Sequence, residues 1–179
     1  MSHIDQKTKI NIEKSIEQIK LDTGLSYPEN GLVEIAEALG AEVVSADLLP
    51  FEGKRVKGLI KWFSEEERKT NSRYSAKIFL NSNQGDTTKN FTLAHEIGHL
   101  LLHKNSNSFR IDLQDYSEEG DPNNQETEAN YFAGSLLMPK EKLSIVLKNA
   151  ESLDEVAQTF AVSRPAVEAR IKWLNWTTS

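Results

Sequence analysis

Apolar residues at Ile10, Ile12, Ile16, Ile19 and Leu21 recur at helical spacing and predict an amphipathic first helix from about Lys7 to Asp22, ended by Thr23-Gly24. Tyr27-Pro28-Glu29-Asn30-Gly31 reads as a turn. Leu32, Ile35, Ala36 and Leu39 then mark a second helix from Gly31 to Leu39, with Gly40 as its stop. Ala41 to Val44 is a short strand. Arg55 to Trp62 and Tyr74 to Leu80 are further strands, and the charged segment Ser64 to Arg73 is an exposed hairpin connection between them. Phe91, Leu93, Ala94, Ile97, Leu100, Leu101 and Leu102 supply enough apolar surface to bury most of a helix, with Asp86, Thr87 and Thr88 as its capping oxygens. Gly98 lies inside that helix and costs about 1 kcal/mol against Ala, so a close approach by another element is expected there. Asn105 to Gln125 is rich in Ser, Asn, Asp, Gly and Pro and reads as a long mobile loop. A further helix runs from about Asn124 to Leu137. The tail repeats the packing pattern of a helix-turn-helix: Leu153, Val156, Ala157 and Phe160, a turn at Ala161-Val162-Ser163, then Ala166, Val167 and Ile171.

At 179 residues and 38% hydrophobic, the chain suits one domain, or one with a small appendage. Its net charge is −6, which disfavours a general binder of nucleic acid or of anionic membranes. The tail sharpens this. Arg164, Arg170 and Lys172 are set against Glu151, Asp154, Glu155 and Glu168, so no basic face is left to neutralise phosphates, and a packing or protein-contact unit is expected. There is no cysteine, hence no disulfide frame and no thiolate metal site. The polar N-terminus lacks an apolar signal core, and no run reaches the roughly 18 apolar residues of a membrane span. A soluble, cytoplasmic protein is expected.

The buried helix carries H-E-x-x-H as His95, Glu96 and His99. Positions i and i+4 share a helix face one turn apart, so two imidazoles can close on one metal ion. Glu96 lies where a carboxylate can take a proton from an activated water. A tetrahedral catalytic zinc needs a third protein ligand. Glu126 and Asn130 form a second i, i+4 pair; one can ligate while the other hydrogen-bonds a ligand imidazole. His103 is eight residues beyond His95, about 12 Å along the axis. That is too far to share an ion with both other histidines, so it reads as a supporting group or as a helix-end histidine. For the oxyanion of a hydrolytic reaction, Tyr131 and His103 are the candidate donors. The strand before the motif, Lys77 to Asn81, would hold a peptide by β-addition if it is an edge, and is an ordinary sheet strand otherwise.

With both motifs in place, FTLAHEIGHLLLH (Phe91 to His103) and ETEANYFAGSLLMP (Glu126 to Pro139), the chain resembles the ImmA/IrrE family of zinc metallo-endopeptidases. Asn81 and the tail AVSRPAVEARIKWL resemble that family too. The resemblance implies zinc (Zn2+) held by His95, His99 and Glu126, with Glu96 as the catalytic carboxylate; Glu128, two residues on and on another face, is the fallback ligand if the helix is rotated. The fold it implies is α+β: a mainly helical, zincin-like metalloprotease domain over 1–139 with a small mixed or antiparallel sheet. A helix-turn-helix-like helical extension over 140–179 would pack on it. It implies a protein substrate, a helix-turn-helix transcriptional repressor or an antitoxin-like regulator. The rival readings are a regulator that binds DNA through its tail, and one that sequesters a repressor without cutting it.

Overall fold

The computed structural model describes residues 4–71, 73–104, 109–113 and 125–176. In chain order these form α1 (Gln6–Thr23), α2 (Leu32–Ala38), β1 (Ala41–Ala46), β2 (Val56–Trp62), α3 (Glu65–Thr70), β3 (Ala76–Asn81), α4 (Asp86–Leu102), β4 (Phe109–Leu113), α5 (Gln125–Leu137), α6 (Lys140–Asn149), α7 (Leu153–Thr159) and α8 (Arg164–Trp173). The class is α+β, mainly helical, with one small mixed sheet. Its strand order is β1-β3-β2-β4. β1 runs parallel to β3, and β2 runs antiparallel to both β3 and β4. None of the described helices is long and apolar enough to cross a membrane.

Local chemistry explains most of the boundaries. Asp5 caps α1, accepting from the Thr8 N–H at 3.0 Å, and Gly24 closes the helix at φ 73°. Gly40 takes φ 87° after α2, a backbone state with little penalty only for glycine. Ser152 and Ser163 cap α7 and α8, accepting from the Glu155 and Ala166 N–H groups. β2 alternates, with Val56, Gly58, Ile60 and Trp62 on the buried face that meets α4.

Four expectations change. Ser64 to Arg73 is not a bare connection: Ser64 and Glu67 form a capping box that starts α3. Gly85, with no side-chain cap, precedes α4, and Asp86 lies in the first turn, acting only through its charge. The strand before α4 is no edge: β3 is paired on both sides, by β1 and by β2. The stretch from Asn105 to Gln125 is not loop throughout, since it contains β4; 105–108 and 114–124 lie outside the described residues.

The core is wrapped around α4. Every position from Thr92 to Leu100 is buried, so the helix is apolar nearly all round except for the residues that carry chemistry. α5 crosses it at Gly98, where an added Cβ would stand 3.2 Å from Ala129 Cα and 3.1 Å from Phe132 Cδ1. That is the close approach expected at Gly98. Behind α5, the buried Arg170 of α8 donates to Ser135 Oγ at 2.7 Å and to the Met138 carbonyl at 3.3 Å, and lies 3.7 Å from Glu13 of α1. Val156, Ala157, Phe160, Val162, Val167 and Ile171 join the same apolar cluster as α4 and α5. The tail is thus continuous with the core that fixes the two motif helices.

Candidate metal centre

α4 and α5 bring three groups together. One donor atom from each of His95, His99 and Glu126 lies within 4.8 Å of the others. His95 Nε2 and His99 Nε2 are 3.0 Å apart. Glu126 oxygens stand 3.2 Å from His95 Nε2 and 3.4 Å from His99 Nε2. Two ligands on one tetrahedral zinc, at bonds of about 2.0–2.1 Å, are separated by about 3.3 Å. With one atom from each residue the three lie within 4.8 Å of one another, close enough for small side-chain shifts to reach those edge lengths.

Each member is held from behind. The His95 Nδ1–H donates to Asn130 Oδ1 at 2.9 Å, which turns Nε2 toward the cluster. His99 Nδ1 lies 2.9 Å from His103 Nδ1, and His103 Nε2 lies 3.1 Å from Glu128 Oε2. Arg110 of β4 grips Glu126 Oε1 through Nε at 2.8 Å and through Nη2, while Nη1 donates to Gln125 Oε1 at 2.7 Å. Glu128 faces His103 and is not part of the cluster, which leaves Glu126 as the inward carboxylate.

Glu96 is the outlier. It is 1% exposed, and neither carboxylate oxygen has a hydrogen-bond partner among the described residues. Leaving a buried carboxylate unmatched is costly unless it is protonated or serves a further partner. Burial pushes Glu96 up to about 8; the carboxylates of Asp112 and Glu126 add to this, against the opposing His95 and Arg110. β2 makes room for it with a glycine: a Cβ on Gly58 would stand 3.2 Å from Glu96 Oε1.

The charges interlock. Burial alone would lower His95, but its hydrogen bond to Glu126 and the carboxylates of Asp112, Glu126 and Glu96 carry it to about 9. Burial drives His99 down to about 3, with the His95 charge adding to the effect. Burial would raise Glu126, yet the two histidines beside it, His95 foremost, hold it far below the usual carboxylate range. Without metal, one proton on His95 therefore takes the place of the cation. Two imidazole Nε2 atoms, an inward carboxylate and an orphaned Glu96 beside them fit a zinc ion in donor type, with the His95 proton leaving as the metal enters.

Tyr131 is not brought to this cluster. Its hydroxyl donates to Glu13 Oε1 at 2.8 Å, and its ring packs on Trp173 at 5.5 Å. His103 sits behind His99, on the side away from the Nε2 atoms, so neither expected oxyanion donor faces the three-residue pocket. Sequence reasoning missed Arg110, Asp112 and Gly58. The alternation Phe109-Arg110-Ile111-Asp112-Leu113 was the available signal for β4 and its two charged residues.

Two histidines one turn apart are closed by a carboxylate from a second helix beneath a small sheet. Over residues 36–172 the chain matches the peptidase family described as the IrrE N-terminal-like domain, and it belongs to that family. It is 33% identical over 99 residues to an uncharacterized immunity region protein 2 of Bacillus phage phi105, a span that covers 55% of this chain and 59% of the relative. In fold it is similar to a Mycobacterium tuberculosis transcriptional regulator, with a TM-score of 0.56 and 16% identity, over 94% of this chain and 47% of that one. The chain thus spans about half to three fifths of the length of the proteins it matches.

Proposed function

We propose that the chain is a zinc-dependent endopeptidase that cleaves a protein substrate, and that this substrate is a helix-turn-helix repressor or a related antitoxin-like regulator. The observation that carries the reading is the convergence of His95, His99 and Glu126 beside a buried Glu96 whose two oxygens have no protein partner among the described residues. Zinc held there supplies Lewis acidity toward the scissile carbonyl and makes a water nucleophilic near neutral pH. Glu96 takes the proton of the attacking water and later delivers it to the leaving amine; its two unpartnered oxygens are free to accept that proton once the cation beside them favours the ionised form. Asn130 and Arg110 hold His95 and Glu126 in place. An extended substrate would lie along β4, the strand next to the cluster.

The helical extension would act as a packing or protein-contact unit. Arg164 is engaged by Asp154 at 3.2 Å and by Glu168 at 2.9 Å, and Arg170 is buried, which supports a protein partner over DNA. A phage immunity-region relative supports a repressor as that partner. Incubating the zinc-loaded chain with a repressor encoded beside it, with and without chelator, tests the reading. Glu96→Gln should bind zinc as the native chain does and leave the repressor intact. Undiminished cleavage by that variant removes the role of Glu96, and equal relief of repression without cleavage points to sequestration.

A further inference from the structure

The motif on α5 offers three polar side chains at alternate positions, Glu126, Glu128 and Asn130, and the proposed chemistry uses only the first and the last. We infer that Glu128 and His103 form a relay that sets the tautomer of His99 and so keeps its Nε2 bare for the metal. The inference rests on the metal site of the proposed function and deepens it, making Glu128 and His103 positioning residues.

The relay is continuous: Glu128 Oε2 to His103 Nε2 at 3.1 Å, then His103 Nδ1 to His99 Nδ1 at 2.9 Å. A carboxylate can only accept, so it selects the Nε2–H form of His103. In that form His103 Nδ1 is an acceptor. It takes the proton that His99 carries on Nδ1, and His99 Nε2 is left with its lone pair toward the Nε2–H of the charged His95 at 3.0 Å, nearer than Glu126 Oε1 at 3.4 Å. Reversing one link fails at the next. If His103 held its proton on Nδ1, its Nε2 lone pair would face a carboxylate, and its Nδ1–H would force the His99 proton onto Nε2, where a metal ligand cannot carry one. The supports of the two histidines therefore differ in kind. His95 leans on a neutral amide in one step, whereas His99 leans on a carboxylate in two.

Helix geometry makes the relay available. His99 and His103 are one turn apart on α4, with ring centroids 5.0 Å apart. The crossing at Gly98 sets α5 close enough for the short side chain of Glu128 to reach the second ring. A chance pairing at a helix end would need neither a second histidine nor a carboxylate on the crossing helix.

The test uses the full chain in two states. In the metal-free chain, with 15N-labelled histidine, long-range 1H–15N spectra should show His99 protonated on Nδ1 and His103 on Nε2. In His103→Leu, His99 should move largely to the Nε2–H form. In the same variant, zinc affinity measured against a competing chelator should fall about 10- to 100-fold. His103→Gln, whose side-chain carbonyl can accept the His99 Nδ1–H, should recover affinity to within about threefold of the native chain. Glu128→Leu should weaken zinc and mix the His103 tautomers, whereas Glu128→Gln, still an acceptor, should do neither. If His103→Leu does not fold, the Glu128 pair gives the same reading. The inference is overturned if His99 keeps its tautomer, or if zinc affinity is unchanged, in the leucine variants, or if the two glutamine variants behave like the leucine ones. Failure to cleave any repressor would count against the proposed function and leave the spectra, and hence the relay, as they are.

Discussion

Gly58 presses against Glu96: a Cβ at position 58 would lie 3.2 Å from Glu96 Oε1, 3.1 Å from the Phe79 carbonyl and 2.7 Å from Thr92 Cγ2. The buried carboxylate owes its position to the absence of a side chain on the strand above it. Gly58→Ala should therefore cost roughly 1–3 kcal/mol, the usual penalty for overpacking a tight interior. It should also displace Glu96 and lower kcat/KM far more than it weakens zinc. Urea unfolding and a peptide-cleavage assay on the same preparation check this. Native activity in Gly58→Ala would show that the strand yields without moving the carboxylate.

Zinc uptake should expel a proton. In the metal-free protein His95 is charged at neutral pH, since its neighbours carry it to about 9, and a ligand nitrogen must be bare. Between pH 7 and pH 9 the apparent affinity should rise by about tenfold per pH unit, one proton's worth. Calorimetry in two buffers of different ionisation enthalpy counts the proton directly, and an affinity flat across that range would contradict the His95 assignment.

The zinc-free protein should be most stable between the ordinary values of a glutamate, 4.5, and a histidine, 6.5. His95 and Glu96 are both raised, so what they contribute is lost as pH climbs toward about 9 and about 8. Glu126 is depressed, so its contribution is present above 4.5 and is lost on acidification. His99, lowered to about 3, and His103, also lowered by burial, oppose folding increasingly as pH drops below 6.5; together they outweigh the gain from Glu96 and set the maximum toward the upper end of the window. Urea midpoints of chelated protein from pH 3 to pH 9 should trace a dome, and a steady rise up to pH 9 would refute it.

Arg170→Ala should separate stability from chemistry. The guanidinium is 1% exposed and bonded to Ser135 and the Met138 carbonyl on the far side of α5. Losing these charge-assisted bonds should cost about 2–3 kcal/mol. Zinc affinity at a temperature where the variant remains folded should stay within about twofold of native, because the ligands project from the opposite face of α5. A large loss of zinc affinity in a folded variant would tie the two faces together.

How far the sequence reveals all this depends on whether a residue's role is local. The i, i+4 period alone sets His95 beside His99, and the spacing of Glu126 and Asn130 says that both share a face. Gly98 announced a helix crossing because glycine is costly in a helix interior without one. α3 was legible in the Ser64-x-x-Glu67 capping box and was hidden by the density of charge around it. β4 was hidden by polar neighbours, although Arg110 and Asp112 alternate with apolar residues. Gly58 could not be read at all, since its meaning depends on which helix lies across the sheet. Tyr131 looked eligible for the site by its position beside Asn130, but one residue turns a helix by about 100°, enough to aim it at α1.

Arg110 joins β4, at one end of the described sheet, to the carboxylate that completes the cluster. Anything that tugged this rim of the sheet, a docking polypeptide included, would shift the grip on the ion by some factor. Reciprocity then obliges the ion to alter the hold on that polypeptide by the same factor. Cargo and cation would sense each other through a single guanidinium.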